Sequence, residues 1–520
     1  LQCKFWIDDY SKSPPRGILP DPKNPRRLIT GGTLGARRFC VEAAEVAAEF
    51  SAIVKERQPV NSNCLYSRLS RLGGTGGTAS RVLNQFLREG KTIRRYELTN
   101  CAKQLRKFGK FHHALQVFRW MEMRGIKLSF GDHAVCLDLT SKTDGISAAE
   151  SYFARLSLSA KNHWTYGALL NCYCENKMSE QALDLFRKLE RVGLGNTMTF
   201  NCLISLYSRL DQPQKVPPLI EEMKRRGISL STFTYNCWMQ SCAHLNDMNG
   251  IEKVMKEVRK HKRCVDWTTF SNLATIYIDA GCFEKAESAL RMVEAMRPGD
   301  RMAYHFLITL YAGTSNLDAA IHACDCLKSR FAMTNKSYLV MLRAMAKLDA
   351  VNQLRKLYEE WLSCCSSFDL RLANVAIKAY LKWNMVEDAK REFGIATERS
   401  HGPFSRAWEL FMEFFLRRGE TGLALGQMEA AVSVREWQPD PSLVQEFFMC
   451  LEEKKDIEGG EELCRMLKKV NCFDSNGYKW LIRMYIAAGR AAPEMRGRVL
   501  EDGIQIEADI ENLLQMVCAN

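Results

Sequence analysis

Tyr166-Gly-Ala-Leu-Leu-Asn-Cys-Tyr173, then Glu175-Asn-Lys177, then Ala182, Leu183, Leu185, Phe186 and Leu189, is the stretch on which the fold turns. Positions 166, 169, 170 and 173 share one face of a helix with 3.6 residues per turn. The polar triplet interrupts that stripe, a second stripe runs from Ala182 to Leu189, and Gly193 is a good helix stop. The stretch predicts helix A, a short turn, helix B and a second short turn. Neither helix can bury its stripe alone.

The same unit recurs on both sides. A small residue opens helix B at Ala114, Ala148, Ala182, Ala286, Ala320, Ala389 and Ala424, separated by 34 or 35 residues or by sums of these. Val216, Ile251 and Leu354 occupy the intervening places. An aromatic register, Tyr166, Phe200, Tyr235, Phe270, Tyr304, Tyr338, Trp408 and Tyr478, keeps the same period. Seven residues after most of these comes another ring: Tyr173, Tyr207, Tyr277, Tyr311, Phe415 and Tyr485. Independent registers with one period define a repeat array. The expected fold is an all-α, right-handed superhelical solenoid of helix-turn-helix hairpins, its stability a sum of repeat and nearest-neighbour terms. The small residue lets two helices joined by a tight turn approach closely. Pro217-Pro218 falls near one helix B start and predicts a slightly late beginning there, because proline is tolerated in a first turn.

Unit boundaries fall at 95–128, 129–162, 163–196, 197–231, 232–266, 267–300, 301–334, 335–369, 370–404, 405–440 and 441–474, with a partial unit to 491. Residues 1–72 read as a leader, and Gly73-Gly-Thr-Gly-Gly-Thr78 as a hinge. Thr78 is placed to cap an N-terminal helix carrying Val82, Leu83, Phe86 and Leu87, so that 73–94 closes one end. Residues 492–520 read as a capping helix at the other, with Leu513, Leu514, Met516 and Val517 on its apolar side. The first 41 residues mix eight Lys and Arg with Pro and Ser, which reads either as the remnant of an organellar transit peptide or as a basic terminus.

The net charge of +13 favours polyanionic partners, nucleic acid first and an acidic membrane surface second. No run of 18 apolar residues predicts a membrane span. The 20 cysteines sit within apolar periodic segments and include no Cys-x-x-Cys pair, so they read as small hydrophobes in a reducing compartment. Zinc sites want ligands paired at hairpin spacing, and neither a metal nor another cofactor is expected. A zinc-deaminase signature and a phosphate-binding Gly-rich loop are both missing from the sequence. His112-His113 is assigned to a turn, and no histidine pairs with a nucleophile or carboxylate at catalytic spacing. Catalysis is not expected.

A period of 34 also suits tetratricopeptide repeats, but no unit carries their Trp, Leu-Gly, Tyr pattern. The units read Thr199-Phe-Asn-Cys-Leu-Ile204, Thr234-Tyr-Asn-Cys-Trp-Met239 and Thr269-Phe-Ser-Asn-Leu-Ala274, with a helix B ending Leu219-Ile-Glu-Glu-Met-Lys-Arg-Arg-Gly-Ile228. These resemble the pentatricopeptide repeat over essentially all of 95–490. The stretch Leu105–Met121, together with Ala160-Lys-Asn-His and Arg371-Leu-Ala-Asn-Val-Ala-Ile377, resembles a plant subfamily of the plain repeat type, mostly mitochondrial. The resemblance implies single-stranded RNA in a groove lined by helices A, one base per repeat, read by the fifth and last residues of each unit. Asn236 with Asp266 then corresponds to a uridine reader, Ser271 with Asp300 to a guanine reader, and Asn201 with Ser231 leans to cytosine. His133 with Asn162, His305 with Thr334, and Asn374 with Phe404 are non-standard pairs, while Gly167 and Leu339 offer no side-chain hydrogen bond. A polar residue near a helix start also has a purely local use, satisfying backbone. The basic runs Lys224-Arg-Arg226, Arg259–Arg263 and Lys468-Lys469 fall at the ends of helices B, where cations complement the helix dipole.

Two functions follow as expectations. One is a non-catalytic RNA-binding protein of the mitochondrion, with the chloroplast as alternative, acting in RNA stability, processing or translation. The other is a structural repeat protein docked on an organellar ribosome or other ribonucleoprotein, gripping protein and rRNA backbone.

Overall fold

Most helices A begin on a short polar side chain that folds back over their own first turn. In the computed structural model, which describes residues 65–72, 78–260, 266–400, 405–433 and 437–518, Ser129, Asn162, Asn196, Ser231 and Asp266 each accept a backbone N–H of the helix they precede. Asp300, Thr334, Asp369, Asp440 and Asp474 do the same further along. Such caps satisfy donors that a helix start leaves unpaired and contribute about 1 kcal/mol each.

Helix A ends as regularly. Lys177, Asp211, Asn246, Ser315, Asp349, Asn384 and Lys455 adopt φ of 54–59°, and Gly281 and Gly419 take the same place at +70°. The following N–H reaches back to the carbonyl of Tyr173, Tyr207, Tyr277, Tyr311, Tyr380 or Phe415 at 2.7–3.0 Å. This is the left-handed closure that satisfies terminal carbonyls. It gives the second aromatic register a structural meaning: those residues sit where the helix is sealed.

Among the described residues there are 27 α-helices, two short 3-10 turns and no strand. The chain folds as two compact units, Leu1–Arg297 and Pro298–Asn520. In the first, helices Leu65–Ser70 and Ala79–Arg88 precede the hairpins Arg95–Lys107/Phe111–Met123, Phe130–Asp144/Ile146–Arg155, His163–Glu175/Ser179–Arg191, Thr197–Arg209/Val216–Arg225, Thr232–His244/Met248–Lys260 and Trp267–Asp279/Phe283–Ala295. In the second, Arg301–Gly313/Leu317–Arg330, Asn335–Lys347/Val351–Cys364, Leu370–Lys382/Val386–Arg399, Ser405–Arg417/Thr421–Val432 and Pro441–Lys454/Ile457–Lys469 lead to Ser475–Ala487. Within each unit, helix A packs on its own helix B and on a neighbouring helix A.

The first aromatic register binds neighbours together. Tyr166 meets Phe153, Phe200 meets Phe186 and Trp408 meets Phe393, each ring edge-on to one from the preceding helix B at 4.7–5.0 Å between centroids. The small register is fully buried at Ala114, Ala182, Ala286, Ala320, Ala389 and Ala424, as are Val216, Ile251 and Leu354. One member was misplaced by a residue: Ala149, not Ala148, is the buried one. The helix A before it, Phe130–Asp144, has 15 residues where its successor has 13, which displaces the start of helix B. His112 and His113 also differ from expectation. They lie inside helix Phe111–Met123, because the turn is closed earlier by Gly109 at φ +73°. A 3-10 turn at Pro213–Lys215 delays its helix B to Val216, so Pro217 and Pro218 fall in the first turn as expected.

Thr78 caps Ala79–Arg88 through the N–H of Arg81. Leu65, Leu69, Leu83, Leu98, Leu105 and Phe118 form one apolar core at this end. Helix Leu65–Ser70, which falls within the leader expected over 1–72, is packed into this core; residues 1–64, the hinge glycines at 73–77 and the basic residues 261–265 lie outside the described residues. Inside the first unit a charged cluster is sealed among helices A. Arg106 Nε donates to Asp138 Oδ2 at 2.9 Å, Lys142 Nζ lies 3.0 Å from Asp138 Oδ1, and Asp138 is 1% exposed. The C-terminal end carries two helices rather than one, Met495–Glu501 and Ala508–Val517, burying Met495, Val499, Ile510, Leu514 and Val517. Arg498 holds Glu461 through both guanidinium nitrogens at 2.6–2.7 Å.

Candidate nucleic-acid interface

The second and fifth residues of each helix A lie one turn apart, so they face the helix A of the adjacent repeat. A Cβ placed on Gly167 would lie 3.8 Å from Met198 Sδ, showing that the fifth residue of one repeat abuts the second residue of the next. This register is where the predicted site residues fall.

Asn201 and Ser231 are brought together directly. Asn201 Nδ2 donates to Ser231 Oγ at 3.3 Å and Asn201 Oδ1 accepts the Thr234 hydroxyl at 2.7 Å. Ser231 also caps Thr232–His244, accepting the N–H of Thr234 at 3.2 Å. Asn236 and Asp266 are joined through an intermediary. Asn236 Nδ2 donates to Thr268 Oγ1 at 3.3 Å, and the Thr268 hydroxyl in turn donates to Asp266 Oδ1. Asp266 Oδ1 simultaneously caps Trp267–Asp279 through the N–H of Thr268. The Asn236 Oδ1 atom is buried and has no partner.

Ser271 closes the first unit's series, its hydroxyl buried and without a partner. Asp300 belongs to the second unit, where it accepts the N–H of Met302 at 2.9 Å. His133 bonds Tyr152 rather than Asn162: His133 Nδ1 lies 2.8 Å from the Tyr152 hydroxyl, while Asn162 Oδ1 caps its own helix through the N–H of Trp164. Burial lowers the His133 pKa against the pull of Glu122 and Asp132. His305 Nε2 meets the Ser337 hydroxyl at 3.1 Å, and Ser337 meets Thr334 at 3.1 Å. Asn374 keeps a buried, unpartnered Oδ1, and the Phe404 of its pair lies outside the described residues.

The last residue of a unit is thus foremost a helix cap, and the fifth residue is tied into the neighbouring start. In Asp266 and Asp300 the backbone bond uses Oδ1, and a carboxylate has a second oxygen able to accept from a ligand. An asparagine at position five would exchange its present partner for a base edge.

His305 is 3% exposed, and burial, then Lys336 and Arg301, push its pKa down to about 3. It is neutral near pH 7. Its folded pKa lies below the unfolded value of about 6.5, so its contribution to stability is present above pH 6.5 and is lost as pH falls toward 3. Chemical denaturation between pH 7 and 4.5 should show the second unit losing stability, with a smaller loss in His305→Gln. An identical loss in the variant would assign the acid sensitivity to other groups.

The sequence reading missed the second residue of helix A. In the first unit Tyr96, Phe130, Trp164, Met198, Phe233 and Thr268 occupy the second place of successive repeats. Tyr96 is 57% and Phe130 49% exposed, and the other four are half-buried. Each stands three residues ahead of a fifth position, a spacing that the sequence already contained. The basic runs sit elsewhere. Lys224 pairs with Glu257 at 2.6 Å and lies 4.2 Å from the centre of the Trp238 ring, and Arg226 pairs with Glu190 and Glu222. Lys468 pairs with Asp502. These cations stitch neighbouring elements together.

A file of near-identical hairpins with recurrent polar and apolar positions defines a helical-repeat scaffold that presents one surface per repeat. A family model described as PPR repeat family matches residues 195–244, and one described as PPR repeat matches 164–194 and 233–262. The chain is 45% identical over 464 residues to the Arabidopsis thaliana pentatricopeptide repeat-containing protein At1g02370, mitochondrial, covering 87% of this chain and 86% of that protein. It is 41% identical over 493 residues to At4g01990, mitochondrial, of the same plant, covering 93% and 98%. It is also 36% identical over 465 residues to the Arabidopsis large ribosomal subunit protein mL101 (rPPR4), covering 87% and 94%. The chain belongs to the pentatricopeptide-repeat family and is of its plain, non-catalytic repeat type.

Proposed function

We propose that the protein binds single-stranded RNA along the helix A face and acts by occupying it, as a mitochondrial factor in RNA stability, processing or translation. The observation that carries this reading is the register itself. In the repeats that carry Tyr96/Thr99, Phe130/His133, Met198/Asn201, Phe233/Asn236 and Met302/His305, an apolar second residue stands one turn from a polar fifth residue, the pairing needed to hold a base by its face and by its edge. The mitochondrial assignment rests on the relatives that bear that designation.

A second reading has its own support. The 36% identical relative is a large ribosomal subunit protein, and several fifth residues here are engaged with neighbouring helix starts. A ribosome-docked protein would grip rRNA backbone and protein with little base discrimination.

Selection from a randomised RNA pool at two salt concentrations separates the two. RNA-specific binding enriches a short motif, and Asn236→Ala/Asp266→Ala relaxes it at one position with about a 10-fold loss of affinity. Binding with a steep salt slope and no motif, together with co-sedimentation with ribosomal particles, would replace the first reading by the second.

A further inference from the structure

The two compact units are not electrically alike. Residues 1–297 hold 45 Lys and Arg against 29 Asp and Glu, a net +16, whereas 298–520 hold 28 against 31, a net −3. The whole positive excess of the chain resides in the first unit.

The second position of the repeat also differs in character between the two units, the apolar run ending at Phe233, with Thr268 after it. In the first unit it presents the apolar series from Tyr96 to Phe233, with the two leading rings the most exposed. In the second unit it presents Met302, then the cations Lys336, Arg371 and Arg406, then Ser442 and Asn476. These cations are already engaged. Lys336 Nζ lies 3.3 Å from Met302 Sδ. Arg371 embraces Asp369 at 2.6 and 3.0 Å, and Arg406 pairs with Glu409 and Glu413. A base needs a flat apolar face to stack on, and a phosphate needs a cation with charge to spare. The first unit supplies the apolar faces together with the net positive charge. The second, Met302 apart, offers no apolar side chain at this register, and its net charge is negative.

We propose that the RNA footprint is confined to the first unit: a single-stranded segment of about four to six nucleotides, one per repeat, stacked along Tyr96, Phe130, Trp164, Met198 and Phe233. This inference rests on the RNA-binding reading above and narrows it to half of the array. The second unit then serves as a scaffold that leaves the RNA uncontacted.

The test uses the full chain and a fluorescein-labelled single-stranded RNA of 14 nucleotides with random sequence. Tyr96→Ala/Phe130→Ala/Phe233→Ala should weaken binding at least about 30-fold. Lys336→Ala/Arg371→Ala/Arg406→Ala should change it less than about 3-fold. In parallel, 4-thiouridine RNA photocrosslinked to the unaltered protein should give adducts on helices A of residues 95–297, a readout independent of how the variants fold. Adducts spread evenly into 301–487, or an equal loss in the second triple variant, would overturn the confinement while leaving RNA binding intact. Failure of the unaltered chain to bind this RNA at all would overturn both the confinement and the RNA-binding reading.

Discussion

Asp138→Ala should destabilise the first unit by about 3–5 kcal/mol, read as a drop in the urea midpoint. The reason is what it leaves behind. Arg106 is 8% exposed, and its guanidinium would lose the carboxylate that compensates its burial. Lys142 would keep Glu175, at 3.6 Å, and the face of the Phe111 ring, 5.1 Å from its centre. Burial drives the Asp138 carboxyl upward, but Arg106 and Lys142 outweigh that and hold it below its ordinary value. A depressed carboxylate stabilises the fold above the unfolded pKa of about 3.9, and that contribution disappears as pH falls through the lower folded value. Asp138→Asn keeps the shape without the charge and should recover little of the loss. Arg106→Met combined with Asp138→Leu removes both charges and should cost far less than Asp138→Ala alone. If the double variant were the weaker of the two, the account based on a stranded cation would be wrong.

Phe200→Ala should cost about 3–5 kcal/mol, since the ring is wholly buried and its removal leaves a cavity. Its location makes the outcome more informative than its size. Phe200 lies edge-on to Phe186 of the preceding helix B, so it belongs to the seam between two repeats rather than to one hairpin. In a linear array each hairpin depends on its neighbours. Hydrogen exchange should therefore accelerate across residues 163–231 while hairpins near Arg95–Lys107 and in the second unit keep their protection. Uniform acceleration over the chain would mean cooperative unfolding of the whole, not a sum of neighbour terms.

What the sequence disclosed and what it withheld have a physical division. Periodic positions were legible because burial repeats: Ala114, Ala182 and Ala286 are forced small by the same close approach in every hairpin, and Phe200, Tyr235 and Tyr478 by the same seam. Misplacement arose where one helix departs from the common length, as with Ala148 and the longer Phe130–Asp144. The functional positions were only half legible. Asn201 and Ser231, paired by register, are in direct contact. His133 with Asn162 was paired by the same rule, yet His133 turns to Tyr152 on its own helix B, a choice made by side-chain rotation that no spacing encodes. Thr268, which links Asn236 to Asp266, escaped notice because a threonine in a first helical turn looks ordinary until its neighbour across the repeat is known.

Under the proposed RNA-binding reading the last residue of a repeat is employed twice, as helix cap and as base contact, which limits how such a chain can drift. Asn162, Ser231, Asp266, Asp300 and Thr334 all belong to the four residue types that start helices well. Where a unit ends instead in Leu128, the duty passes to Ser129. Exchanges within that quartet can alter what a repeat prefers while its helix still begins in the same place. Letters other than these and glycine forfeit about 1 kcal/mol at a joint between repeats, so the lexicon open to this position is set by backbone chemistry before any ligand arrives.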